Sequence, residues 1–529
     1  MRSDGVVIVG TGQSLYNYYV LGTTGDDVAV DGTFARDMIF GDPYTNSNSI
    51  LDSAGNLGDL SEGTGGNDRI SGGASQDSIY GDAYALSGSA MGGNDMIYGQ
   101  DASDHIYGDG LYMSGNAVGG HDTIYGGAGD DQIAGDSAEM TEDAVGGNDW
   151  LYGGVSGDDV LYGDGSFMMN LRTVGGDDTI NGGSGNDRLY GDASRLQDHA
   201  TGGNDRLFGG SGNDQLYGDS SRLEDHATGG DDRLFGDTGN DQLYGDANNL
   251  RDRAVGGDDR LSGDTGNDVL HGDARDLKWR AAGGDDRLHG GEGDDVLRGD
   301  GRVMRNYASG GHDMLDGGSG DDRLFGDADT MYTESTGGND TLTGGAGHDS
   351  LYGAAMKMYG STVDGDDTLD GGSGDDSLFG DADTMYSLAV GGNDTLAGGS
   401  GNDVLYGDAM RLYSSSTGGD DELDGGDGDD ELWGDGEFVA SDARGGDDRL
   451  TGGAGADRFS FAGDFGMDTI TDFSSSEGDG IVLKGFGSGD VSIMFQGSDS
   501  IVTAENEWGR SGEVVVQDAH VDMGDFTFT

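Results

Sequence analysis

Apolar residues recur along this chain in bursts of three flanked by glycine, and the bursts keep phase over most of its length. One ladder runs Ile70, Ile97, Ile124, Leu151, Ile180, Leu207, Leu234 and onward to Leu450. A second, nine residues further on, runs Ile79, Ile106, Ile133, Leu161, Leu189, Leu216, Leu243 and onward to Phe459. Bursts this short and this rich in glycine cannot hold a helix. They predict short strands, each with one residue pointing inward. The unit starts at residues 65, 92, 119 and 146, then at 175, 202 and so on to 445, with a step of 27 and a single step of 29. The two extra residues divide between 153–157 and 167–173, and fifteen units cover residues 65–461. If the chain coils once per unit, each leucine stacks on the leucine of the next coil. No strand can bury its side chain alone, so stability comes from stacking.

The remaining part of each unit has its own phase. Leu196, Leu223, Leu250, Leu277, Met304, Met331, Met358, Met385 and Leu412 align, and small residues such as Ala200, Ala227 and Ala254 follow four positions later. The spacing of Ala193, Leu196 and Ala200 suits one or two turns of helix, and the same residues would share a face as a third strand. Two architectures fit: a two-sheet roll with a decorated edge, or a three-sided coil. The decorated roll is the expectation, because this segment lacks the three-residue burst of the other two.

Composition sharpens the picture. The 529 residues include 111 Gly and 1 Pro, which excludes collagen, whose glycine comes with proline. A hydrophobic content of 33% alone would suggest disorder, but a disordered chain has no reason to hold apolar residues in register through fifteen units. With 102 Asp plus Glu against 27 Lys plus Arg, the net charge is −75, and no basic face is available for a nucleic acid. There is no Cys, hence no disulfide or thiolate metal site. No apolar run approaches the length of a membrane span, and Val6-Val7-Ile8-Val9 is too short for a signal-peptide core.

The nonapeptide Gly182-Gly183-Ser184-Gly185-Asn186-Asp187-Arg188-Leu189-Tyr190 and its many counterparts resemble the GGxGxDxUx repeat of the RTX (repeats-in-toxin, hemolysin-type calcium-binding) family. That resemblance implies an all-β fold, a long parallel β-roll or β-solenoid with 27-residue coils and Ca²⁺ held in the Gly/Asp turns. Calcium takes six to eight oxygens, and glycine-rich turns can aim several carbonyls into one cleft. The resemblance makes the sixth-position Asp the closing carboxylate of each site. The corresponding residues are Asp104, Asp131, Asp159, Asp187, Asp214, Asp241, Asp268, Asp295, Asp322, Asp349, Asp376, Asp403, Asp430 and Asp457. The shorter Gly-Gly-Asn-Asp turns supply Asp68, Asp95, Asp122, Asp149, Asp178, Asp205, Asp232, Asp259, Asp286, Asp313, Asp340, Asp367, Asp394, Asp421 and Asp448 on the other edge. A third row, from Asp82 through Asp192, Asp219 and Asp246 to Asp435, is broken at Ala354. It reads either as a supplementary ligand or as a cap for the inserted segment. On the order of two ions per repeat would supply about 60 positive charges, offsetting most of the −75. A chain that is largely unfolded without calcium and folds on binding it is therefore expected.

Three regions are expected: residues 1–64 as an N-terminal cap and irregular first coil, 65–461 as the calcium-binding roll, and 462–529 as a C-terminal capping and type I secretion module. Gly22-Thr23-Thr24-Gly25-Asp26-Asp27-Val28-Ala29-Val30 is a worn nonapeptide, and residues 32–40 look like its partner. The stretches Asp468-Thr469-Ile470 and Asp479-Gly480-Ile481 resemble the closing module of serralysin-like secreted proteases, and Asp525-Phe526-Thr527-Phe528-Thr529 looks like an uncleaved secretion signal. Neither H-E-x-x-H nor a nucleophile elbow occurs, and with repeats beginning by residue 65 no catalytic domain is expected ahead of them. The expected protein is a secreted, non-enzymatic calcium-binding structural protein of the cell surface or matrix, associating head-to-tail into filaments. A carbohydrate-binding or adhesive module, using the row Tyr332, Tyr359, Tyr386 and Tyr413, is the alternative. An enzyme with an unrecognised site comes third.

Overall fold

The computed structural model describes residues 7–9, 18–21, 30–31, 37–41, 59–506 and 510–529. All of its named elements are strands, and among the described residues no helix is long and apolar enough to cross a membrane. The chain divides into two compact units, Met1–Thr265 and Gly266–Thr529. Each is a parallel β-solenoid, and its coils repeat at about 27 residues.

One coil of the first unit stands for the rest. Arg206–Ser211 forms a long strand, Gln215–Tyr217 a short one and Ser220–Leu223 a third. Each pairs in parallel with its equivalent one unit later: Leu207 with Leu234, Leu216 with Leu243 and Leu223 with Leu250. Like residues therefore stack on like. Leu207, Leu216 and Leu223 are all fully buried, so three inward ladders share one core.

The third ladder overturns the decorated-edge expectation. The extra segment is a strand in most of the described coils, and at Ala193 and Leu196 it is held by isolated parallel bridges, so the coils are three-sided. In the second unit Gly301–Arg305, Ala328–Tyr332, Ala355–Tyr359 and Ala382–Tyr386 pair in sequence at 27-residue register. After this strand the chain turns through two residues of positive φ, Asp198 and His199 in one coil, Asp225 and His226 in the next. A backbone bond from Ala200 N–H to the Gln197 carbonyl closes the turn. Two successive positive φ values are the signature of a type I′ turn, and this reversal is what the Leu-to-Ala spacing encodes.

The single 29-residue step is absorbed at two places. The long strand slips at Gly127/Ala128, where Ala128 faces Ser156, and Val155 is pushed out to 79% exposure. The third strand slips between Ser137 and Glu139. Both lie within or beside the stretches expected from the sequence.

At the N-terminal end of the first unit, Val30–Asp31 lies on Ile70–Ser71 and Asp37–Phe40 on Ser78–Tyr80. Tyr18–Leu21 pairs with Asp37–Phe40, and Val7–Val9 runs antiparallel to Tyr18–Leu21. Most of the worn nonapeptide at 22–30 and the Pro43 insertion lie outside the described residues. In the second unit the coils give way to an antiparallel sheet of Val491–Gln496, Asp499–Glu505 and Ser511–Val516. Phe526–Phe528 adds in parallel to Gly480–Lys484.

Stacked aromatics run along the short-strand ladder. Tyr162, Tyr190, Tyr217 and Tyr244 lie ring on ring at 4.8–4.9 Å. In the second unit Phe325, Tyr352, Phe379 and Tyr406 do the same at 4.7–5.1 Å. The coil repeat sets these separations, which suit aromatic contact.

Candidate metal centres

Three rows of aspartates mark the strand junctions of the coils, the third of them broken at Ala354. The Asp205 row stands where the chain enters the long strand, the Asp214 row between long and short strands, and the Asp219 row between short and third strands. Each predicted site residue falls in one of the first two rows, and all of them are buried, at 3% exposure or less.

Within a row, successive residues are joined by their own backbones. The N–H of Asp178 donates to Oδ1 of Asp205 at 2.7 Å, and that of Asp205 to Oδ1 of Asp232 at 2.6 Å. In the second row Asp187 donates to Asp214, and Asp214 to Asp241, both at 2.7 Å. The second unit repeats this from Asp313 through Asp340 to Asp367, and from Asp322 through Asp349 to Asp376. One oxygen of each carboxylate is thereby used to lock the next coil in register.

The other oxygen is the informative one. Oδ2 of Asp122, Asp149, Asp178, Asp205 and Asp232 is buried without a donor, as is Oδ2 of Asp131, Asp159, Asp187 and Asp214. A buried carboxylate oxygen left in this state is costly unless a cation or proton meets it. These oxygens face glycine. A Cβ on Gly209 would stand 2.6 Å from Asp214 Oδ2 and 2.9 Å from the carbonyl oxygen of Gly236 in the next coil. On Gly191 it would run into Asp205 Oδ2 and the Gly218 carbonyl. A carboxylate oxygen of one coil and a carbonyl oxygen of the next thus converge on space that only glycine leaves open.

This is a donor set for a hard, oxygen-seeking cation. Among the described residues no three or more His, Asp or Glu side chains are arranged to hold a metal ion by themselves. An ion at these junctions would draw on carboxylates from the rows and on backbone carbonyls, and it would supply the charge that burial withholds. The electrostatics agree. Burial, then neighbouring carboxylates, pushes Asp104 up to about 8. Burial likewise raises Asp131 to about 6 and Asp214 to about 6. In the other row burial and the charges of its neighbours lift Asp122, Asp149 and Asp205 well above the ordinary carboxylate range.

Three members of these rows were not among the sequence candidates. Asp77 donates its N–H to Asp104 Oδ1 at 2.7 Å; its turn, Gly72-Gly73-Ala74-Ser75-Gln76-Asp77, has Ser75 where the motif has its third glycine. Asp468 accepts from Asp448 and Asp479 from Asp457, both at 3.0 Å. The signal for them was present as Asp-x-Ile at 468–470 and 479–481, at steps shortened from the regular 27.

The third row acts as a cap. The carboxylate of Asp192 accepts the Gly203 N–H and that of Asp219 the Gly230 N–H, both at 3.0 Å. Each bond spans 11 residues and ties the end of the third side back to the start of it.

A family model described as the RTX calcium-binding nonapeptide repeat matches fifteen segments of the chain, from 53–83, 89–110 and 116–138 through to 415–437 and 442–470. No curated protein matches it.

Proposed function

Because the chain belongs to the RTX calcium-binding repeat family, we propose that it is a secreted structural protein whose coils are riveted by calcium and which folds only when calcium is supplied. The observation that carries this reading is the set of buried, donorless Oδ2 atoms of Asp122, Asp149, Asp178, Asp205 and Asp232 in one row and of Asp131, Asp159, Asp187 and Asp214 in the other, with glycine-lined space at Asp205 and Asp214. About two ions per coil would meet them, one at the entry to the long strand and one between the long and short strands. Placing the protein outside the cell, at the surface or in a matrix, fits sites that fill where calcium is abundant. The role is mechanical, not catalytic. Head-to-tail association into filaments completes the reading, since heterologous contacts between unlike ends that do not close into a ring propagate into a filament.

A calcium titration followed by far-UV circular dichroism and sedimentation tests folding and assembly together. Strand signal and a compact sedimenting species should arise over the same calcium range. Electron microscopy with calcium that shows only dispersed monomers would remove the filament part.

The carbohydrate reading rests on the tyrosine row of the third ladder. Tyr332, Tyr359, Tyr386 and Tyr413 stack on one another at 4.7–5.2 Å, nearly parallel. Rings stacked this way present edges, whereas a sugar-binding platform presents a face. A shielding role for the row is favoured, and a glycan array decides between the two.

A further inference from the structure

The third aspartate row does more than cap. In the second unit Asp300, Asp327, Asp381 and Asp408 are fully buried. Oδ1 of each accepts a glycine N–H, at 3.0, 2.9, 2.8 and 2.7 Å. Their Oδ2 atoms have no donor. Capping needs only the first of these oxygens, and an asparagine or serine would serve it as well.

The break in the row is the more telling feature. Ala354 stands where a carboxylate is expected, so that coil has no side chain there to cap its turn. In the same coil the first glycine of the following turn, which is Gly in the other fourteen units, is Asp364. A Cβ on Gly337, one coil earlier, would meet Asp327 Oδ2 and Asp364 Oδ1 together. On Gly310 it would meet Asp300 Oδ2 and Asp327 Oδ1 in the same way. The Asp364 carboxylate therefore occupies the place in the column that residue 354 leaves open, reached from a different point on the backbone. It caps nothing. Asp364 is 8% exposed, and both of its oxygens are buried without a donor. Filling a hole would need only an apolar methyl group, so what has been kept is the charge.

We propose that the third corner is a further row of calcium sites, one between each pair of successive carboxylates, with Asp364 standing in for the missing aspartate at 354. At Gly310 and Gly337 the two carboxylates that converge come from adjacent coils, so an ion there ties one coil to the next at a junction outside the nonapeptide turns. Without an ion, burial and the charges of Asp367, Asp327 and Asp381 hold the Asp364 carboxyl far above its usual range. The proposal rests on the reading of the chain as calcium-loaded and adds a third class of site to it.

Native mass spectrometry of the full chain in calcium counts bound ions directly. Asp364→Asn keeps the shape and removes the charge; it should bind fewer ions than the parent, by about two if the ions on either side both need it. Ala354→Asp combined with Asp364→Gly returns the carboxylate to its regular position and should restore the parent count. An unchanged count in a folded Asp364→Asn protein overturns the proposal and leaves the other two rows untouched. Should that variant fail to fold, Asp381→Asn, which retains an oxygen for the Gly392 N–H, is measured in its place: a lower count supports the third row and an unchanged count overturns it. A parent chain that binds no calcium would instead defeat the proposed function itself.

Discussion

Chelating calcium at pH 8 leaves rows of buried carboxylates with nothing to neutralise them. Successive members of a row are one coil apart, about 5 Å in a parallel ladder. At an effective dielectric near 20, two unit charges at that distance repel by about 3 kcal/mol. In the first unit one row takes seven such steps, from Asp68 to Asp259. Its nearest-neighbour repulsion alone comes to roughly 20 kcal/mol, above the 5–15 kcal/mol by which domains are usually stable. The fully ionised, ion-free fold cannot persist. Protons offer the only other relief. Asp104 is raised to about 8, Asp159 to about 7 and Asp131 to about 6, in each case chiefly by burial. The folded state then binds more protons than the unfolded one, and ion-free stability falls as pH rises between the unfolded value near 4 and the folded values of 6 to 8. Far-UV circular dichroism in excess chelator should show a largely unfolded chain at pH 8 and a partial return of strand signal as pH is lowered toward 5. A strand spectrum at pH 8 that is the same with chelator as with calcium would mean that carboxylate repulsion does not govern folding.

Leu216 is fully buried between Leu189 and Leu243, and Leu216→Ala should cost about 2–5 kcal/mol in urea unfolding with saturating calcium; a loss well under 1 kcal/mol would mean the ladders are not the core. Gly209→Ala puts a methyl group between Asp214 Oδ2 and the Gly236 carbonyl, so the calcium midpoint of folding, read by circular dichroism, should rise several-fold, with a wild-type midpoint counting against that cradle. Trp279 and Arg280 hold positive φ values of 55° and 67° in an exposed turn. Replacing them with Asn-Gly should raise stability by about 1 kcal/mol or more, seen as a higher Tm, whereas a lower one would mean that the Trp279 side chain contributes more than the turn costs.

The period, the two apolar ladders, the candidate aspartates and the all-strand class were legible in the order of the residues. Parallel stacking demands this legibility: each coil is the hydrogen-bonding partner and the packing surface of its neighbours, so the same residue type must return at the same phase. Folding in three dimensions was needed wherever local spacing admits two answers. Ala193, Leu196 and Ala200 satisfy a helix as well as a strand, and Ala193 and Leu196 instead bridge in parallel to the neighbouring coils, with backbone bonds such as Leu196 N–H to the Arg222 carbonyl. Asp468 and Asp479 joined their rows only in space, because the shortened steps that carry them break the period. Ala354 and Asp364 are ten positions apart in the chain, and only coiling shows that the Asp364 carboxylate occupies the place that residue 354 leaves open. A repeat records which residues stack, but not from which point on the backbone a side chain reaches its place.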